Sequence, residues 1–214
     1  MGLWLYFAAA VAAYCIGSIN PSIILSHSLY RTDVRKYGSH NAGFTNFNRI
    51  FGAKHSWLVF ALDFLKSALI CALFGWLFLR EGGLYQIGTT FSGLFVLIGH
   101  AFPLWHHFMG GKCVSVIFAA GMITDWRATL IAFGVFLIVI ATTRYMSLAT
   151  LLAVGSEPFL LILFGVEHPA ALILMIVMVL FVFWRHHENI GRLLRGTESK
   201  FSFHSGQKPT DDPK

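Results

Sequence analysis

Residues 56–79 read SWLVFALDFLKSALICALFGWLFL, a continuous apolar run interrupted by only two charges, Asp63 and Lys66. A helix needs about 20 predominantly apolar residues to cross a hydrocarbon core, so this stretch is long enough to span a bilayer. Six further apolar runs flank it: Leu3 to Ser28, Leu84 to Phe102, Val114 to Thr124, Ala128 to Thr142, Ser147 to Phe164 and Ala170 to Trp184. The 214-residue chain is 56% hydrophobic and 12% charged, against about 25% charged for ordinary soluble proteins. That balance excludes a soluble domain, a disordered chain and a collagen-like repeat. The cysteines number three, and Cys15 and Cys71 lie inside apolar runs, so no disulfide framework is implied. The expectation is an all-α integral membrane protein with seven transmembrane helices. Val114 to Thr124 is short for a span, and with Ala128 to Thr142 it could form a re-entrant pair, leaving six.

Charge gives the orientation. With seven spans, one side of the membrane collects Arg31, Arg35, Lys36, Arg49, Lys54, Lys112, Arg144, Arg185, Arg192, Arg195, Lys200, Lys208 and Lys214, and the other only Arg80 and Arg127. The positive-inside rule then puts the N-terminus outside and the C-terminus in the cytoplasm. The net charge of +6 does not point to nucleic acid, because no soluble basic face carries it. The first run lacks a basic segment before Leu3 and a small-residue cleavage site, and is read as an anchor rather than a signal peptide. No recurring block marks an inverted repeat. Residues 1–202 are expected to form one membrane domain, and 203–214, polar with two prolines, a disordered cytoplasmic tail.

Polar groups near membrane depth need a partner or a purpose, and four clusters of them fall on the basic side. The first loop, residues 31–49, contains Gly38 and Gly43, which permit tight turns whose N–H groups converge. It adds Ser39, Asn41, Thr45 and Asn46, then Arg49 with a fork matched to phosphate or carboxylate. Alone, such a loop could equally be a basic connector resting on anionic headgroups. The next loop carries His100, His106, His107 and then Gly110-Gly111-Lys112-Cys113 ahead of an apolar run. Lys112 is thus expected at a helix N-terminus, where free N–H groups, helix dipole and ammonium all favour an oxyanion. This is not a Walker A loop, since its first glycine is absent and Cys113 replaces the Ser/Thr. The histidines lack companions at ligand spacing, so no metal and no cofactor are expected.

Asp63 and Lys66, at i and i+3, share a helix face and are expected to form a structural ion pair. Ser147 sits at the polar turn after Arg144. Beyond the last run, His186, Asn189 and Leu193 share one helix face, and Arg185, Glu188 and Arg192 another. No paired carboxylates and no nucleophile elbow are present. A one-sided basic pocket opening onto lipid suits a substrate with phosphate at one end and an apolar chain at the other. A transporter of phosphorylated small molecules or a non-catalytic lipid-binding membrane protein would draw on the same residues.

The order of these motifs resembles the bacterial acyl-phosphate:glycerol-3-phosphate acyltransferases from Gly17 to Lys200. The matching stretches are Gly17-Ser18-Ile19-Asn20-Pro21; Asp33 to Ser39 with Asn41, Gly43, Thr45 and Asn46; Asp63-x-x-Lys66; Gly99-His100-x-Phe102-Pro103; Gly110-Gly111-Lys112; Arg144-x-x-Ser147; and Arg185-His186 through Gly196-Thr197-Glu198. The resemblance implies a seven-helix enzyme of the bacterial inner membrane, its active site facing the cytoplasm. It would transfer a fatty acyl group from acyl phosphate to the sn-1 hydroxyl of glycerol 3-phosphate, a step of phospholipid biosynthesis, without an acyl-enzyme. Ser39, Lys112, His186 and Asn189 would be its catalytic residues. Gly38, Asn41, Gly43, Thr45, Asn46, Arg49, Gly110, Gly111, Ser147 and Glu198 would bind substrate. Within these, Ser39, Asn41, Thr45, Lys112 and the Gly110-Gly111 backbone would hold the acyl-phosphate headgroup, and Arg49, Ser147, His186 and Asn189 would place glycerol 3-phosphate. Its partners would be these substrates and membrane lipid, with no nucleic acid and a monomeric state.

The chain departs from the family pattern in six places. His40 and Phe44 stand where the family has Gly and Ala, Ser67 follows Lys66 in place of Gly, and Cys113, Ser115 and Val116 replace Gly, Ala and Thr. A relative with altered or lost activity is the alternative these departures leave open.

Overall fold

The computed structural model describes residues 2–202, and the expected tail at 203–214 lies outside them. Ten α-helices form the described chain: α1 Leu3–Ser18, α2 Pro21–Tyr30, α3 Phe44–Phe51, α4 Ala53–Gly82, α5 Tyr85–Ala101, α6 Val114–Thr124, α7 Trp126–Thr143, α8 Met146–Phe164, α9 Pro169–Arg185 and α10 His187–Leu194. No strand occurs among the described residues. Five segments are long and apolar enough to cross a membrane: Leu3–Tyr30, α4, Tyr85–His106, α7 and α8. The pair α9 and α10 makes a sixth when counted as one bent span.

The first run is not one continuous helix. Pro21 has no N–H to return to the carbonyl of Gly17, and α1 ends at Ser18. Asn20 then caps α2, its Oδ1 accepting the Ile23 N–H at 3.1 Å. The freed carbonyls of Gly17 and Ile19 accept from the ammonium of Lys66 on α4, at 3.1 and 2.6 Å. Lys66 also pairs with Asp63 at 2.7 Å, and His100 of α5 lies 3.2 Å from the same carboxylate oxygen. The expected structural pair is therefore the centre of a joint among α1, α4 and α5. In lipid this is what a broken helix requires, since no water is present to satisfy its open carbonyls.

Close packing places α1 on α5. A Cβ on Gly17 would meet the Val96 carbonyl at 2.5 Å, so only glycine lets these backbones approach so nearly. α6 lies in the middle of the molecule, with residues 115–121 all buried, as befits a helix that is apolar on every side. At about 1.5 Å per residue it is too short for a core of about 30 Å. Asp125 separates it from α7, its carboxylate accepting from the Arg127 N–H at 2.9 Å and pairing with the Arg127 guanidinium at 2.7 Å. At the other end of the chain, α9 and α10 meet at a 61° bend centred on His186. The single exiting helix expected from sequence is thus two helices. Arg185 diverges accordingly, donating to the Gly111 carbonyl at 3.2 Å, whereas Glu188 and Arg192 stay together at 3.8 Å.

Candidate active site

The two loops that carry the glycines are fastened together by Arg35. It is held by Asp33 at 2.7 Å and donates to the carbonyls of His106 and Met109 at 2.8 and 3.0 Å. Within the first loop Gly38 has φ +62, and a Cβ there would strike Asn46 Oδ1. That oxygen accepts the Ser39 N–H at 2.9 Å, while Asn46 Nδ2 donates to Val34 and Tyr37 carbonyls, each at 3.1 Å. Asn46 is 2% exposed and both hydrogens of its amide are spent on backbone. Asn46 thus shapes the loop, and it also lines the cavity beside it. Asn41 is the opposite case: its Oδ1 is buried without a protein partner at the cavity wall, leaving an amide for a ligand to satisfy.

The second loop is also held by its backbone. The N–H groups of Gly110 and Gly111 donate to the carbonyls of Ala101 and His100, at 3.1 and 3.0 Å. These are the open carbonyls at the C-terminus of α5, and a Cβ at either glycine would collide with His100. The glycine pair lies flat on the helix end and satisfies it; its amides are not available to substrate. The first turn of α6, which follows Lys112, has no capping side chain. The N-terminus of α3, at Gly43, is likewise uncapped. Both helix ends line one cavity, so free N–H groups and two positive dipole ends face it together.

That cavity has a volume of about 470 Å³. At its polar end stand Ser39, Asn41, Thr45, Arg49, Lys112, Ser147, His186, Asn189, Arg192 and Glu198, so side chains from four separate loops do converge. Lys112 Nζ bonds Asn189 Oδ1. Asn189 Nδ2 in turn donates to Glu198 Oε1 at 2.7 Å, joined there by Ser147 Oγ at 2.8 Å. Arg192 Nε reaches the other carboxylate oxygen at 2.7 Å. Glu198 is therefore a hub that orients Ser147, Asn189 and Arg192 at the cavity wall. Burial alone would push its carboxyl up, but the hydrogen bonds from Asn189, Arg192 and Ser147 hold it below the usual carboxylate range. Burial brings the Lys112 ammonium down to about 8, helped by Arg192 and Arg185 and opposed by Glu188 and Glu198. His186 sits at the α9–α10 bend with Nδ1 on the Val182 carbonyl at 2.8 Å, which leaves Nε2 as the nitrogen free for substrate.

The other end of the cavity is apolar. Trp57 and Phe60 of α4 form one wall, and Phe133, Phe136, Leu137 and Ile140 of α7 the other. Phe44, Ser115, Met146, Ser199 and Phe201 also face the cavity. Sequence reading did not assign a site role to these or to Arg192. The Arg192 signal was present in its position one turn past Asn189; the contribution of Phe201 depends on how the chain returns after α10. Asp63 and His100 border the same space, so the joint among α1, α4 and α5 is also its floor.

Residues 7–196 match the family model for glycerol-3-phosphate acyltransferase. The chain belongs to the glycerol-3-phosphate acyltransferase family. It is 35% identical over 191 residues to the glycerol-3-phosphate acyltransferase of Finegoldia magna, covering 89% of this chain and 93% of that one. The Rhizobium etli glycerol-3-phosphate acyltransferase is 36% identical over 198 residues, covering 92% of each. Among solved structures, PlsY (YgiH), an integral membrane glycerol 3-phosphate acyltransferase, superposes in its glycerol 3-phosphate form with a TM-score of 0.84 at 33% identity, covering 92% of this chain and 96% of that one.

Against this family the departures acquire a physical meaning. His40 (φ +55) and Cys113 (φ +67), which replace glycines, both occupy the left-handed region that favours glycine. Each side chain makes a local bond, His40 to the Arg35 carbonyl at 2.9 Å and Cys113 Sγ to the Leu97 carbonyl at 3.3 Å. Ser67 donates to the Val116 carbonyl at 3.0 Å and ties α4 to α6. Val116 is fully buried, while Ser115 lines the cavity, so a hydroxyl is present on α6 one position earlier than in the family pattern.

Proposed function

We propose that this integral membrane enzyme, a glycerol-3-phosphate acyltransferase, takes its acyl group from acyl phosphate and acts at the cytoplasmic face of the bacterial inner membrane. The observation that carries this reading is the single cavity whose cationic end runs into an apolar slot between α4 and α7. A phosphate and a fatty chain belonging to one donor fit those two ends. The N-termini of α3 and α6, with Ser39, Thr45 and Lys112, hold the donor phosphate and the charge that develops on the carbonyl oxygen. Arg49, Ser147, His186 and Asn189 hold glycerol 3-phosphate with its sn-1 hydroxyl toward the carbonyl carbon. The hydroxyl oxygen bonds to that carbon, the carbon–oxygen bond to phosphate breaks, and the hydroxyl proton leaves on the phosphate. The products are lysophosphatidic acid and inorganic phosphate. Because the donor is a mixed anhydride with phosphate as leaving group, no acyl-enzyme is formed.

Counting α6 as a short span gives seven, with the N-terminus outside; the basic loops on the site's side support that orientation. The enzyme is proposed to act as a monomer. The test is purified protein in micelles given palmitoyl phosphate and glycerol 3-phosphate, with phosphate and lysophosphatidic acid followed together. Coupled appearance of both, lost in Lys112→Ala, is the expected result. Lysophosphatidic acid formed from an acyl thioester and not from acyl phosphate would overturn the donor assignment.

A further inference from the structure

Beyond α10 the chain does not leave the molecule. Glu198 is tied to Ser147 and Asn189, Ser199 Oγ accepts from Arg49 at 3.1 Å, the Phe201 N–H donates to the Arg144 carbonyl at 2.7 Å, and the Ser202 carbonyl accepts from Asn48 at 3.1 Å. Residues 197–202 thus cross the cavity mouth, from the α7–α8 turn to α3. At the crossing, Phe201 stacks on Phe44 with ring centroids 6.2 Å apart and planes at 29°. Phe44 in turn packs on Trp57 at 5.0 Å and Phe60 at 6.1 Å. Phe44 is the first residue of α3, and it lines the cavity together with its neighbours Gly43 and Thr45.

We propose that Phe44 and Phe201 form an aromatic clasp that closes over the donor next to its reacting carbonyl and keeps bulk water from it. This rests on the acyl-phosphate reading above. A mixed anhydride reacts with any oxygen nucleophile. If water reaches the carbonyl, its oxygen bonds to the acyl carbon, the bond to phosphate breaks, a water proton passes to phosphate, and free fatty acid is released in place of lysophosphatidic acid. Excluding water from the reacting centre is therefore what couples donor breakdown to acceptor acylation. The clasp is built for this: two cavity-lining rings from separate segments meet, and the strap carrying Phe201 is held by hydrogen bonds that can part to admit a donor.

The experiment measures phosphate, free fatty acid and lysophosphatidic acid in the same reaction for the full-length parent, Phe44→Ala, Phe201→Ala and Phe44→Leu. The parent is expected to release one phosphate per lysophosphatidic acid. Either alanine variant is expected to raise that ratio to about two or more, the excess appearing as fatty acid, while Phe44→Leu stays near the parent. A merely structural role would lower turnover and leave the ratio at one in every variant, and that result overturns the clasp. Phe44 and Phe201 lie on separate elements, so misfolding of one variant leaves the other to decide. If the parent acylates glycerol 3-phosphate only from a thioester, the donor reading fails and the clasp is judged by the same ratio of fatty acid to lysophosphatidic acid: a rise in the alanine variants supports it, and no change overturns it.

Discussion

Replacing Lys66 by methionine tests how the first helix is held to the rest of the protein. The ammonium lies 2.7 Å from Asp63 and donates to the Gly17 and Ile19 carbonyls at 3.1 and 2.6 Å. The side chain of Asp63 is 2% exposed, so Lys66→Met leaves a carboxylate in the interior with only His100 beside it and returns two carbonyls to an unsatisfied state. Breaking a buried pair from one side costs about 3–5 kcal/mol, most of it the stranded charge. At roughly 2–4 °C per kcal/mol for a chain of this size, the unfolding midpoint should fall by about 10 °C. Thermal unfolding of the purified protein in detergent, followed by tryptophan fluorescence, reads this directly. The double variant Asp63→Asn/Lys66→Met removes the stranded charge and should recover about half of the loss, because the two effects are coupled through one contact. A Lys66→Met protein melting within about 2 °C of the parent would show that the break at Pro21 is not held by this ammonium, and the account of the joint would be wrong.

Further outcomes follow from the site. Lys112→Ala should reduce kcat/KM by about 10²–10³, the scale of removing one preorganised donor to a developing anion, and Lys112→Arg should retain much of the rate. The ammonium is the form that holds phosphate, and burial lowers its pKa to about 8; kcat/KM of the free enzyme should therefore be level below that pH and fall as pH rises through it. In Lys112→Arg, whose guanidinium stays charged, this fall should vanish, and a pH–rate profile checks both. Glu198→Gln takes the charge from the Arg192 contact and turns an amide toward it, which should raise KM for glycerol 3-phosphate about tenfold, the equivalent of about 1.4 kcal/mol. His40→Gly should raise the unfolding midpoint by about 2–4 °C, by relieving a left-handed backbone worth about 1 kcal/mol; an unchanged midpoint would mean that the bond from His40 to Arg35 already offsets the strain.

Much of what gathers at the cavity is legible in the sequence. Lys112, His186 and Asn189 were readable because polar residues beside apolar runs need a reason, and Asp63 with Lys66 because i and i+3 share a helix face. For Asn46, Gly110 and Gly111 the sequence shows that a group can donate, not where its hydrogens are spent. Asn46 gives both to backbone carbonyls, and the glycines give theirs to the end of α5. For Glu198 the sequence does not show the three protein donors that occupy it.

Apolar runs, their lengths and the side on which arginine and lysine collect are properties of the chain alone, because a bilayer acts on each segment much as it would on that segment in isolation. The all-helical membrane class, the glycines at the turns and the positions of the cationic groups follow from them. Tertiary structure decided what depends on residues distant in sequence. The break at Ile19 is stable because Lys66 reaches it from another helix; the bend at His186 brings Asn189 onto Lys112; and the chain after α10 turns back so that Phe201 meets Phe44. No local pattern encodes those meetings, since each is set by how whole helices pack and by which partner remains to satisfy a buried polar group.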